Sequence, residues 1–160
     1  MTEKHGLKPS PQGEPLSKAR LRLWLKLLKS SRLIEEEIRR RLRNECASTL
    51  PRFDVMSALS RAPDGLKMSE ISKKLRVSNG NITGIVDKLT EEGLALRVAV
   101  PGDRRASLVR LTPRGAETFS QHAAAHEAWI DELLGGLTAD DIDGMIRRLD
   151  HLSHTLEEKE

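Results

Sequence analysis

The side chains whose types and spacing suggest chemistry in this 160-residue chain are hydrogen-bonding groups, not catalytic ones. Asn79, Asn81 and Thr83 lie close together, interleaved with Gly80 and Gly84, and Asp103, Arg104 and Arg105 follow as a second group. An Asn amide can bond an adenine edge at two points, a Thr methyl can touch thymine, and arginine is drawn to the negative potential of a minor groove. Set against this is what the chain lacks: GxSxG, HExxH, a Gly-rich phosphate loop, or a carboxylate pair in a recognisable setting. No catalytic residue, cofactor or metal is therefore expected, and the chain does not read as an enzyme. His122 with His126, and His151 with His154, have spacings that could hold zinc on a helix, but two ligands do not make a site. Packing and surface positions are the simpler assignment for them. Cys46 has no neighbouring His, and Glu45 beside it disfavours a thiolate, so it reads as a small packed residue.

The polar residues need an element to carry them. The spacing predicts a short helix over Ser69 to Leu75, a turn at Arg76 and Val77, and a second helix from about Ser78 to Glu92. Ser78 is a good N-cap and Gly93 is placed to end the helix. Ile82, Ile85, Val86 and Leu89 form a narrow apolar stripe. The opposite face centres on Gly80, Thr83, Gly84 and Asp87, flanked by Asn81 and Lys88. Two glycines on an exposed helical face cost roughly 1 kcal/mol each against Ala, so such a face makes sense only if another large body must approach it closely. Two short helices joined this way match a helix-turn-helix whose second helix enters duplex DNA. Leu94 to Val100 alternates like a half-buried strand, and Ser107 to Leu111 makes its partner. The hairpin between them carries Asp103, Arg104 and Arg105 at its tip, in reach of phosphate or the minor groove. Leu66 to Met68 is a candidate third strand.

The order helix-turn-helix, Gly93-Leu94, Asp103-Arg104-Arg105, then Leu111-Thr112-Pro113-Arg114-Gly115 resembles the MarR family of winged-helix regulators, over roughly Leu21 to Leu156. The resemblance implies a homodimer, a palindromic double-stranded DNA operator, and a small-molecule pocket between the DNA-binding and dimerisation parts. The fold it implies is mainly α with a small β hairpin. The DNA contacts would come from Ser78, Asn79, Gly80, Asn81, Thr83, Gly84, Lys88, Asp103, Arg104 and Arg105. Leu50-Pro51-Arg52-Phe53-Asp54 and Ser78-Asn79-Gly80-Asn81 resemble the branch tied to breakdown of hydroxycinnamates and related aromatic acids.

Charge is graded along the chain. Lys18 to Arg43 holds ten basic and three acidic residues, Pro63 to Thr112 nine and six, and Pro113 to Glu160 four and eleven. One face is thus presented to a polyanion, with the C-terminal segment pointing away. The four aromatics, with no Tyr, argue against a single-strand stacking platform. One cysteine, no signal peptide and no apolar run long enough to span a membrane point to the cytoplasm. The expected organisation is a mobile tail over 1–15, helical dimerisation segments over 16–50 and 113–160, and a winged helix-turn-helix over 51–112.

The first helix, about Ser17 to Ser48, is long enough to suggest a partner chain. Its run Arg39, Arg40, Arg41 and Arg43 has two readings: self-pairing with Glu35, Glu36 and Glu37 at i,i+4, or phosphate binding to DNA or ligand. Helix two starts at Pro51. Helix five spans Pro113 to Leu134. Thr138 caps helix six, where Ile142, Met145, Leu149, Leu152 and Leu156 form a seam suited to a dimer interface. For the effector we expect an aromatic acyl-coenzyme A thioester. Trp24, Phe53 and Met56 would surround the ring, and Arg20, Arg22, Lys26 and Lys29, lacking acidic partners within the helix, would take the phosphates. Those cations would equally raise general DNA affinity. The alternatives are a free phenolic or aromatic acid as effector, and a DNA binder with no effector at all.

Overall fold

Thr49, Ser78, Thr112 and Thr138 each precede a helix, and each accepts the backbone N–H three residues on. Such caps satisfy donors that a helix start leaves orphaned, which is why these four boundaries fall where they do. The computed structural model describes residues 12–159, and the side chains of Asn79 and Arg104 lie outside the described set. Residues 1–11 of the expected tail also lie outside the described residues. The element order is α1 (Leu16–Cys46), α2 (Leu50–Ser60), β1 (Leu66–Lys67), α3 (Met68–Leu75), α4 (Asn79–Glu91), β2 (Ala95–Val100), β3 (Asp103–Leu111), α5 (Pro113–Leu133) and α6 (Ala139–Glu157).

The small sheet is antiparallel with order β1-β3-β2. Leu66 pairs with Val109, so the short strand after α2 does join the wing. The wing departs from expectation at its tip. Strand β3 begins at Asp103, not Ser107, because Val100 pairs with Asp103 across a bulge after Ala99. Pro101 and Gly102 alone make the turn, with Gly102 at φ 85°, a left-handed conformation suited to glycine.

Two buried clusters hold the fold. One joins Val55, Met56, Leu59, Ile71, Ile82, Val86, Leu89 and Val109, and so fixes α4 and the wing on α2 and α3. The other joins Ile38, Leu42, Phe53 and Trp129, and fixes α1 on α2 and α5. Phe119 packs against both. The N-terminal half of α1 and the whole of α6 stand outside them. No residue of α6 is buried. Ile142, Met145, Ile146, Leu149, Leu152 and Leu156 on α6, and Leu21, Leu23, Trp24, Leu25 and Leu33 on α1, are exposed.

Candidate nucleic-acid interface and the adjoining cleft

Helix α4 turns Ile82, Val86 and Leu89 fully inward and leaves Gly80, Asn81, Thr83, Gly84, Asp87 and Lys88 exposed. A Cβ built on Gly80 or Gly84 would meet nothing within 4 Å. Nothing in the protomer itself requires glycine at either position. Ser78 is the N-cap, its Oγ accepting the Asn81 N–H at 3.4 Å. Asp87 would put a negative charge on this outward face, but Arg97 of β2 pairs with it. Arg97 was not singled out by sequence reasoning, since the register that brings β2 to α4 is not visible locally.

The wing carries exposed Asp103 and Arg105. Asp103 Oδ1 accepts the Arg105 backbone N–H at 3.0 Å, so this carboxylate braces the start of β3. The Arg105 guanidinium forms no ion pair or hydrogen bond among the described residues.

Helix α4 and the wing are locked to α5 at one junction. Gly93, at φ 74°, ends the helical turn. The Leu94 carbonyl accepts the Thr112 N–H at 3.1 Å, and Thr112 Oγ1 donates to the Gly93 carbonyl at 2.7 Å while accepting the Gly115 N–H at 3.0 Å. A Cβ on Gly115 would lie 1.8 Å from the Leu94 oxygen. The Gly93-Leu94 and Thr112 to Gly115 segments are therefore two sides of one backbone contact.

Behind α4 lies a cleft of about 620 Å³ between α1, α2 and α4. Arg39 and Arg43 edge it from α1, Leu50, Pro51, Asp54 and Val55 from α2, and Asn81, Ile82 and Ile85 from α4. Asn81 thus reaches both the outward face and the cleft. The arginine run divides. Arg40 and Arg41 both pair with Glu37, at 2.6 and 2.7 Å, and Arg41 also reaches Glu132 of α5 at 2.7 Å. Hydrogen bonds from Arg40 and Arg41 hold the Glu37 carboxyl at about 2. Glu35 and Glu36 form no such pairs among the described residues, so self-pairing holds for Arg40 and Arg41 only. Arg39 and Arg43, four residues apart, face the cleft instead. Burial pushes the Asp54 carboxyl above the usual carboxylate range, with Arg39 pulling the other way.

The expected aromatic pocket is not assembled. Trp24 is 56% exposed and lies fifteen residues before Arg39, about 22 Å along the helix axis. Phe53 and Met56 are buried, in separate clusters, on the side of α2 away from the cleft. Phe53 stacks instead on Phe119 and His126, with centroids 5.4 and 4.8 Å away. The reason is helical phase: α2 turns Phe53 and Met56 to the core and Leu50, Pro51 and Asp54 to the cleft. Among the four expected phosphate ligands, Arg22 is engaged by Glu14 at 2.6 Å, an acid outside the helix. Arg20, Lys26 and Lys29 are exposed and pair with nothing among the described residues. His126 stacks on Phe53, burial with Arg52 pushes the His122 imidazole down, and His151 and His154 are exposed on α6. Burial, with Glu45, pushes the Cys46 thiol up.

A family model described as the MarR family matches residues 49–106. A MarR family transcriptional regulator from Silicibacter pomeroyi is 31% identical in its crystal structure, with TM-score 0.72, covering 92% of this chain and 99% of that one. The HTH-type transcriptional regulator MhqR of Bacillus subtilis (strain 168) is 27% identical over 77% of this chain and 83% of its own length. A mutant MarR from E. coli, crystallised in complex with operator DNA, has the same fold at 24% identity and TM-score 0.72, over 87% and 99% of the two chains. These relatives are transcriptional regulators and not enzymes. With its six helices, its three-stranded wing and its Gly93–Gly115 junction, the chain belongs to the MarR family of transcriptional regulators.

Proposed function

We propose that this chain is a dimeric, ligand-responsive repressor that binds a palindromic operator through α4 and the wing, and leaves it when an aromatic effector binds. The observation that carries the DNA-binding part is the outward face of α4, where two glycines face open space beside uncharged hydrogen-bonding side chains. Ser78, Asn79, Gly80, Asn81, Thr83, Gly84 and Lys88 would lie in the major groove, and Asp103, Arg104 and Arg105 would bring the wing to the backbone or minor groove. That a protein of the same fold, the E. coli MarR mutant, was crystallised with operator DNA supports a DNA-binding role. The apolar faces of α6 and of the N-terminal half of α1 support a dimer, with 16–50 and 113–160 as its interface and 51–112 as its DNA-binding part. Trp24 then belongs to that interface and not to an effector pocket. Selection from a random duplex pool tests this reading. Enrichment of one short palindrome, with half-sites about one helical turn apart, is the expected result, and enrichment of no site is the contrary one.

For the effector, the cleft edged by Arg39 and Arg43 replaces the pocket expected around Trp24, Phe53 and Met56. A ligand there would touch α4 through Asn81, Ile82 and Ile85, and so bear on the DNA-reading helix. An aromatic acyl-coenzyme A thioester fits if its acyl end fills the cleft and its phosphates run toward Lys29, about 15 Å up α1 from Arg39, and on to Lys26 and Arg20. It must bind the DNA-free conformation more tightly, since equal affinity for both shifts nothing. The second reading is a free phenolic or aromatic acid held by Arg39 and Arg43 alone. Calorimetry with p-coumarate, benzoate and their thioesters decides: tight binding of a free acid with no gain from the thioester rejects the thioester.

A further inference from the structure

The cleft contains a charge of the wrong sign for an anionic effector. Asp54 lies on its α2 wall, one residue from buried Val55 and across from Arg39 on α1. Its surroundings are mixed: Arg39 and Glu35 on α1, and His126 on α5, act on its charge. Yet no hydrogen bond or ion pair reaches its carboxylate among the described residues, although two guanidinium groups edge the same cleft. Among the described residues the other half-buried acids, Glu14 and Glu37, both hold arginine partners, so Asp54 stands out. A half-buried carboxylate without a donor is held at a cost, and that cost is removed when a bound molecule supplies the donor.

We propose that Asp54 is a specificity-determining residue of this cleft, selecting effectors whose aromatic ring carries a hydrogen-bond donor, such as a phenolic hydroxyl, over the same compounds without it. The inference rests on the cleft being the effector site. The acyl or carboxylate end is held by Arg39 and Arg43, the ring lies between Leu50 and Ile85, and the hydroxyl donates to Asp54. A site built this way rejects the deoxy compound because that compound desolvates the carboxylate and gives nothing back.

The test is calorimetry on matched pairs: p-coumarate with cinnamate, 4-hydroxybenzoate with benzoate, and p-coumaroyl-CoA with cinnamoyl-CoA. The wild-type protein should bind the hydroxylated member of the effector pair tighter by roughly ten-fold or more. Asp54→Leu should bring the two members to near equality, weakening the hydroxylated compound while leaving the deoxy compound unchanged or tighter. A purely structural role, such as positioning His126, would weaken both members alike and overturns the inference. So does equal wild-type affinity for both members of every pair, or a preference that survives Asp54→Leu; either leaves the cleft standing as the effector site. Binding of none of the six compounds overturns the cleft reading together with the inference. Asp54→Asn, which keeps the shape and an acceptor but not the charge, should shrink the preference and decides the matter if the Leu variant does not fold.

Discussion

Two glycines in this chain do opposite things, and substitution separates them. At Gly115 a methyl group would collide with the Leu94 backbone oxygen. Backbone cannot swing aside as a flexible side chain can, so Gly115→Ala should pull α5 off the end of α4 and lower the melting temperature sharply. At Gly84 the same methyl meets open space, so Gly84→Ala should raise the melting temperature by an amount matching several tenths of a kcal/mol, up to about 1 kcal/mol. At the wing, Arg105→Ala should weaken operator binding by roughly ten-fold or more, from about 1–3 kcal/mol per good contact, measured by anisotropy at moderate salt. Unchanged affinity would remove the wing from the mechanism. Arg97 has a different part. Arg97→Ala should weaken DNA binding by baring the Asp87 carboxylate toward the phosphates, and Asp87→Asn should restore it. The inward and outward residues of α4 were legible because one helix's period sorts them. The Glu37–Arg41 pair was legible from its spacing, but the turn of Arg40 to Glu37, the facing of Arg39 and Arg43 into the cleft and the Arg97–Asp87 pair were not, because equivalent pairings compete within α1 and the rest depends on neighbouring elements.

At the level of elements, caps and periodicity are local signals, and they placed the helices to within a few residues. Thr112 with Pro113, and Thr138 with Asp141, mark starts that the structure keeps. Strand β3 was read too short because Arg104, Arg105 and Ala106 do not alternate, and pairing across the bulge carries the strand through them. Trp24, Phe53 and Met56 do not meet in the protomer for a related reason: a pocket between three elements depends on their relative phase, which no single segment encodes. The ion pairs within α1 have a pH signature. Glu37, hydrogen-bonded by Arg40 and Arg41, titrates at about 2 in the fold against an ordinary value of 4.5. A lowered carboxylate contributes stability that is full above its unfolded value and lost as the pH falls through its folded one. Glu37→Gln should therefore lower the melting temperature at pH 7 and make little difference near pH 2. An equal effect at both would exclude the ion pairs as its cause.

At the scale of the molecule, the protomer leaves α6 without a buried residue and half of α1 uncovered. Leu149 and Leu152 are 42% and 45% exposed, on a seam that the sequence made plain by its spacing. If a second copy covers them, Leu149→Glu with Leu152→Glu places charge in that interface and should yield unfolded or aggregated chain, since the folded protomer then depends on its partner. A well-folded monomer, by sedimentation and circular dichroism, would contradict the dimer. The central claim is that the outward face of α4 enters the DNA groove, and one variant tests it. Gly84→Gln adds bulk where the fold has room for it, so the protein should melt at or above the wild-type temperature. Its affinity for the selected operator, titrated by anisotropy beside the wild type, should fall by roughly ten-fold or more. Wild-type affinity from a folded Gly84→Gln would mean that this face never meets the DNA.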